Sequence, residues 1–254
     1  MYMETILEVR HLSKQYSRNG NGVEAVADVS LCLKRGEILG IVGESGSGKS
    51  TLLRQIGRLE NPDQGQIFLY GADITNRKTQ DICRKMQMIF QDPLSSFNPR
   101  HKTSAAIDEM LRNLAGCGRK EAVVRRNELI RTVGLLPELA DRYPFQISGG
   151  QCQRLAVARA LAAEPEILLC DEITSALDVS AQAQIVSMLA ELRKKLGLSM
   201  IFVSHDLALV SCLCDRIMVM KNGSCVEEGS REEIVKRPQS EYTRDLLSSV
   251  MMIE

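Results

Sequence analysis

Apolar positions along the chain follow two rhythms, and each predicts a kind of element. Short, nearly continuous apolar runs predict strands at 6–10, 37–42, 66–70, 86–90, 167–171, 199–203, 216–220 and 224–228. Apolar residues at helical spacing predict helices over 51–56, 105–114, 121–133, 151–163 and 178–196. In the last of these Val179, Ile185, Val186, Leu189, Leu192 and Leu196 recur at helical spacing and Gly197 closes the segment. Asn61-Pro62-Asp63-Gln64-Gly65 reads as a turn, and Asn222-Gly223 between two apolar runs reads as a tight hairpin. Strands alternating with helices predict a mostly parallel sheet covered on both faces. Between Pro99 and Tyr143 the strand rhythm stops, which predicts a helical insertion in the sheet domain.

One junction between a predicted strand and a predicted helix carries chemistry. The run 37–42 leads into Gly43-Glu44-Ser45-Gly46-Ser47-Gly48-Lys49-Ser50-Thr51, the pattern G-x-x-x-x-G-K-S in the order strand, loop, helix. Its glycines let several backbone N–H groups turn inward on phosphates, and the following helix adds about half a positive charge at its start. Lys49 is suited to the β- and γ-phosphates. The Ser50 hydroxyl is suited to complete the shell of Mg²⁺, which keeps most of its water and needs few protein oxygens. The chain is therefore expected to bind a nucleoside triphosphate.

Composition narrows the partners. Thirty-two basic residues balance thirty-two acidic ones, which argues against a protein whose main task is coating nucleic acid. A length of 254 residues suffices for one large α/β domain or two small ones. The N-terminus has no basic segment followed by an apolar stretch, and no run approaches the roughly 18 apolar residues of a membrane span. The expectation is a cytosolic chain that does not itself cross a bilayer. Eight cysteines are scattered without a C-x-x-C pair, and most are expected to be small buried hydrophobes.

Further candidate groups sit at the ends of predicted strands. Ile167-Leu168-Leu169-Cys170-Asp171-Glu172 is an apolar strand ending in two carboxylates. Such a pair alone reads as a solvated turn, but following a phosphate loop it suits a magnesium-shell ligand, Asp171, and a base for the attacking water, Glu172. His205, after the run 199–203, is suited to contact the γ-phosphate and that water through a ring nitrogen. Gln91, directly after the run 86–90, is uncharged and can join Mg²⁺ or the water. Ile147-Ser148-Gly149-Gly150-Gln151 precedes a segment rich in alanine and leucine, so it reads as a second helix N-terminus suited to an anion.

Taken in order, these elements resemble those of the ATP-binding subunits of ABC transporters, and the resemblance covers essentially the whole chain. It implies an α/β P-loop NTPase fold of the ABC type, with a mostly parallel core sheet, an N-terminal antiparallel β portion and an inserted helical signature subdomain. Residues 1–254 would form a single ABC ATPase domain, with 1–91 and 163–254 as the nucleotide-binding core and 92–162 as the Q-loop extension and signature subdomain. It implies ATP and Mg²⁺ as cofactors and hydrolysis by Glu172, His205 and Gln91, with Ser50, Gln91 and Asp171 on the metal. Gly43, Glu44, Ser45, Gly46, Ser47, Gly48, Lys49, Ser50 and Thr51 would hold the nucleotide. Tyr16 matches the aromatic residue that stacks on adenine, with a half-buried tyrosine near a strand as the alternative. Ser175-Ala176-Leu177-Asp178 matches the D-loop. Ser148, Gly149, Gly150 and Gln151 would close on ATP held by a second subunit, a paralogue or another copy, in a head-to-tail dimer.

Peripheral stretches sharpen the resemblance. Gln91-Asp92-Pro93-Leu94-Ser95-Ser96-Phe97-Asn98-Pro99-Arg100, Arg142-Tyr143-Pro144-Phe145-Gln146 and Arg237-Pro238-Gln239-Ser240-Glu241-Tyr242-Thr243-Arg244-Asp245-Leu246-Leu247 are similar to importer ATPases for dipeptides, oligopeptides and nickel. Two membrane permease subunits, and indirectly an extracytoplasmic solute-binding protein, are the implied partners, with no nucleic acid. The implied place is the cytoplasmic face of the membrane. Phe97 and Arg100 are expected to help dock the permeases. The sequence ends at Glu254 without the longer cysteine-containing tail of many peptide-importer ATPases, which tilts the expectation toward nickel or a metal chelate. A soluble ABC ATPase acting in assembly or repair is the alternative. Three departures stand out: Ile147 for leucine in the signature, Ile173 for proline after the Asp-Glu pair, and Cys152, expected to place an oxidisable thiol near the dimer interface.

Overall fold

A computed structural model describes residues 4–18 and 21–251. In chain order its elements are β1 (Thr5–Arg18), β2 (Asn21–Lys34), β3 (Ile38–Val42), α1 (Lys49–Ile56), β4 (Gln64–Leu69), β5 (Ala72–Asp73), β6 (Met86–Ile89), α2 (Thr103–Asn113), α3 (Arg119–Thr132), α4 (Gly149–Leu161), β7 (Ile167–Asp171), α5 (Val179–Leu196), β8 (Ser199–Ser204), α6 (Leu207–Leu213), β9 (Arg216–Lys221), β10 (Ser224–Ser230), α7 (Arg231–Lys236) and α8 (Glu241–Met251). Contacts divide the chain into two units, Met1–Thr79 with Ser199–Glu254, and Gln80–Leu198.

In the first unit β1 pairs antiparallel with β2 and β4, and β4 with β5. This is the N-terminal antiparallel portion that the resemblance implies. Strand β3 pairs parallel with both β8 and β9, and β9 turns back antiparallel to β10. Strands β3 and β8 are buried along their whole length, which is why both read as unbroken apolar runs rather than alternating ones. The turn between β9 and β10 has Asn222 at φ 49° and Gly223 at φ 82°, the left-handed pair that a two-residue hairpin requires.

The second unit pairs β6 parallel with β7 and packs α4 against β6, α2, α3 and α5. Strand β7 is buried throughout, and α4 buries Leu155, Ala156, Val157, Ala158, Ala160 and Leu161. The parallel pairs of the core and the antiparallel N-terminal portion make the fold α/β of the expected kind.

Four helices, α1, α2, α3 and α4, begin at 49, 103, 119 and 149, two residues before the starts predicted from apolar spacing. A first helical turn is set by capping and loop geometry, so apolar spacing registers only where the helix meets the core.

Candidate functional site

The expected site residues fall on both units, and each half has its own geometry. On the first unit, β3 delivers the chain into the glycine loop, and α1 begins at Lys49 with Gly48 as its cap in the left-handed region at φ 99°. Gly43 has φ 155°, and a Cβ there would lie 2.1 Å from the Met220 carbonyl oxygen; a Cβ on Gly48 would lie 2.0 Å from that of Ala25. No other residue fits either place without displacing backbone. The loop therefore packs tightly on its outer side, while Glu44, Ser45 and Gly46 are exposed at its crest.

Lys49 is 2% exposed, and its Nζ donates to the carbonyl oxygens of Gly43 and Glu44, each at 2.8 Å. Ser47 Oγ lies 3.4 Å from the same ammonium. A buried cation held by loop carbonyls is the donor set a polyphosphate calls for, because an anion can take over those contacts. Ser50 and Thr51 follow in the first turn of α1. The Ser47 carbonyl accepts from Gly223 N at 3.0 Å, which ties the loop to the β9–β10 hairpin.

Tyr16, on β1, donates its hydroxyl to the Glu60 carboxylate and also bonds the side chain of Thr51. Burial first, then the Glu60 carboxylate, raises its phenol above the ordinary value. Lys14 Nζ sits 5.8 Å from the ring centroid. His205 follows β8 and is exposed; the next residue, Asp206, caps α6 by accepting from Ala208 N at 2.8 Å and Leu209 N at 3.2 Å.

On the second unit, β6 and β7 are in register with Ile89 opposite Cys170, so Gln91 and Glu172 each follow the last paired residue by two positions. Gln91 Nε2 donates to Ser175 Oγ at 3.2 Å, and Ser175 Oγ donates to the Glu172 carbonyl at 3.0 Å. Asp171 is 3% exposed at the end of β7. Glu172 has φ 46°, a left-handed conformation uncommon for a residue with a side chain, and it turns the chain sharply off the strand. Ser175, which matches the D-loop in sequence, thus joins the Gln91 amide to the Glu172 turn. Its signal was a hydroxyl three residues past Glu172, the spacing of a turn that folds back on its own carbonyl.

Ser148 caps α4 in a reciprocal capping box: its Oγ accepts from Gln151 N at 3.3 Å and Gln151 Oε1 accepts from Ser148 N at 3.0 Å. Ser148, Gly149 and Gly150, with Ala176, Leu177 and Asp178, line a cavity of about 450 Å³ within this unit. The expected anion-receptive helix start is thus present and open, with the D-loop as its opposite wall. The nearest atoms to a Cβ on Gly149 or Gly150 would be Leu177 Cδ2 at 3.6 Å and Ala181 Cβ at 3.5 Å, so a larger residue would fill the cavity itself.

Two expectations need correction. Cys152 presents no oxidisable thiol at a surface: it is fully buried in the core side of α4, and burial first, with the nearby Asp92 carboxylate, pushes its thiol up to about 11. An N3-adjacent position of this helix faces inward, where a small apolar sulfur is at home. Phe97 is also buried, at 5% exposure, so it anchors its loop; Leu94, 50% exposed, and Arg100 are among the residues that loop presents. Ile173 is 1% exposed and fills the core in the turn after Glu172. Of the eight cysteines, Cys117, Cys152, Cys170 and Cys214 are buried, while Cys212 and Cys225 are exposed. No helix among the described residues is long and apolar enough to cross a membrane.

Comparison with known proteins bears on both halves. Residues 26–175 match the family described as ABC transporter. The chain is 45% identical over 253 residues to the oligopeptide transport ATP-binding protein OppF of Bacillus subtilis, covering 97% of this chain and 83% of that protein. It is 44% identical over 249 residues to a putative peptide import ATP-binding protein of Brucella ovis, covering 96% and 78%. Among solved structures, it resembles a dimeric post-hydrolysis state of the ATP-binding cassette MJ0796 bound to ADP and phosphate, with a TM-score of 0.81 and 29% identity over 89% of this chain and 99% of that one.

Proposed function

The chain belongs to the ABC transporter family, and on that premise we propose that it is the ATP-hydrolysing subunit of an importer whose solutes are peptides. The observation that carries this is the buried Lys49 ammonium, held by Gly43 and Glu44 carbonyls beneath an exposed glycine crest. Such a loop exchanges internal acceptors for phosphate oxygens when a nucleotide enters. Peptides are favoured over nickel or a metal chelate because the relatives described above are named for peptide or oligopeptide transport.

Each group on this chain has a stated task in the proposal. Lys49 takes the β- and γ-phosphates, with the loop from Gly43 to Thr51 wrapping them, and Tyr16 takes the adenine. Glu172 accepts the proton of the attacking water, and His205 orients the γ-phosphate. Ser50, Asp171 and Gln91 offer oxygen donors, the kind a hard divalent cation prefers, and are assigned to Mg²⁺. When bound, Mg²⁺ neutralises charge on the phosphates as the terminal group departs. Residues 1–91 and 163–254 act as the nucleotide-binding core, and 92–162 as the Q-loop extension and signature subdomain. Ser148, Gly149, Gly150 and Gln151 close on ATP held by a second cassette. One dimer then has two nucleotides between its subunits, and hydrolysis releases them. The chain sits at the cytoplasmic face of the membrane against two permease subunits, which a solute-binding protein serves from the other side.

Capture of Glu172→Gln protein from its native membrane fraction in the presence of ATP, followed by mass spectrometry, tests the proposal. Two multi-span permeases and a cassette partner are expected. Soluble partners alone would overturn the transport reading, and the ATPase assignment would then point to assembly or repair.

A further inference from the structure

One peptide group in the phosphate loop is held at both ends. The carbonyl of Gly43 accepts from Lys49 Nζ at 2.8 Å, and the N–H of the same peptide, that of Glu44, donates to the hydroxyl of Tyr242 at 3.1 Å. Tyr242 comes from α8, almost two hundred residues further along the chain and outside the stretch 26–175 that matches the family. It is 8% exposed although it stands near the C-terminus.

The surroundings fix that hydroxyl. Lys221 Nζ lies 4.4 Å from the Tyr242 ring centroid and closes one face. The start of α8 is fastened by Glu227, whose two oxygens accept from Gln239 N at 2.8 Å and Ser240 N at 3.0 Å. Thr243, beside Tyr242, is fully buried. Lys221 and Glu227 flank the same hairpin whose tip, Gly223, donates to Ser47 O at 3.0 Å. The hairpin and α8 therefore grip the phosphate loop at two separate points.

We propose that Tyr242 is a positioning residue for ATP: through the Glu44 N–H it fixes the orientation of the Gly43–Glu44 peptide, and with it the resting place of Lys49. This rests on the reading of residues 43–51 as the phosphate loop. A peptide already oriented costs nothing to order when ATP arrives, so the hydroxyl contributes to affinity rather than to the chemical step. It also gives a task to the segment from Arg237 to Arg244, which the ATPase chemistry alone leaves unused.

The test is ATP binding by isothermal titration on the full chain, with kcat and Tm measured alongside, for wild type, Tyr242→Phe, Tyr242→Leu and Lys49→Ala. Tyr242→Phe keeps the ring and removes only the hydroxyl. It is expected to raise the Kd for ATP about three- to tenfold, the worth of one hydrogen bond, with kcat at saturating ATP within about twofold and Tm lowered by no more than about 4 °C. Tyr242→Leu, which also empties the ring site, is expected to match that Kd while lowering Tm. Unchanged affinity in Tyr242→Phe with weakened affinity in Tyr242→Leu would assign the effect to packing and overturn the proposal. Lys49→Ala is expected to lose ATP binding. If instead it bound ATP like wild type, the phosphate-loop reading would fall and the role of Tyr242 with it, whereas loss in Lys49→Ala with no change in Tyr242→Phe would overturn the Tyr242 role alone.

Discussion

Gln91 and Ser175 meet through a hydrogen bond of 3.2 Å, and Ser175 passes the connection on to the Glu172 carbonyl at 3.0 Å. The exposed glutamine that follows β6 and the carboxylate that follows β7 are thus joined by one hydroxyl. Replacing that hydroxyl by hydrogen in Ser175→Ala frees the Gln91 amide and one tether of the Glu172 turn at a cost of about 1 kcal/mol. If the tether orients Glu172 during hydrolysis, kcat falls roughly fivefold while the KM for ATP holds, because neither Ser175 nor Glu172 is assigned a contact with the ground-state nucleotide. Steady-state ATPase assays decide; unchanged kcat would mean the bridge is only a surface contact.

Glu172 itself is the sharper case. Glu172→Gln preserves shape and removes the proton acceptor, so turnover is expected to drop by about 100-fold or more while ATP binding persists. Bound but unhydrolysed ATP should then hold two chains together, visible as a doubling of mass by light scattering on addition of ATP. Rapid turnover in this variant would remove Glu172 from the role of base.

The legible parts of this chain were those whose physical cause is local. Strands β3, β7 and β8 are buried on both faces and read directly as apolar runs, and the glycine loop announces itself through positions that tolerate no Cβ. Strand β2 escaped detection. Its pairing with β1 shifts register between Val9 and Leu12 and again before Lys14, with His11 and Asp28 at positive φ, and such bulges break the two-residue alternation that marks a half-buried strand. Helices α6 and α7 are too short for apolar spacing to register. Their signal was in the caps, Asp206 for α6 and the Ser230–Glu233 box for α7. The buried states of Cys152 and Phe97 were illegible for a different reason: which face of a short turn or helix start points inward is decided by distant partners.

Burial of Phe97 changes how the loop after Gln91 should be probed. Phe97→Ala would empty a core site and is expected to cost about 3–5 kcal/mol of stability, which masks any effect on docking. Leu94→Ala and Arg100→Ala alter exposed groups and should leave Tm within about 2 °C. If that loop meets the permeases, co-purification with the membrane fraction falls in these two variants while ATP affinity is retained. Equal loss of both functions would remove the loop from the docking surface.

Cysteine reactivity follows burial in the same way. The thiols of Cys152 and Cys170 are pushed up to about 11 and about 12 by burial first and a neighbouring carboxylate second, and neither side chain reaches solvent. At pH 8 iodoacetamide should therefore modify exposed Cys212 early and leave Cys152 and Cys170 intact until the chain unfolds. Peptide mapping over a time course distinguishes them. Early labelling of Cys152 would show that the start of α4 opens in solution, and would restore the accessible thiol expected from sequence.

Glu227 links acid stability to the C-terminal helix. Burial pushes its carboxyl up, but the N–H groups of Gln239 and Ser240, with the charge of Arg244, outweigh that and hold it below the ordinary value of 4.5. A folded pKa below the unfolded one means the ionised form is favoured by folding. Its contribution is complete above about pH 4.5 and is lost as pH falls through the depressed folded value. Glu227→Gln sets an amide NH₂ against one of the two backbone donors at every pH, so at pH 7 it should cost about 1–2 kcal/mol, or roughly 2–6 °C in Tm. As the wild-type carboxyl protonates, the two proteins converge, and the gap in Tm should shrink as pH falls below about 4.5. A gap that stays constant over that range would mean the charge on Glu227 contributes nothing to holding α8, and that its hydrogen-bonding shape alone matters.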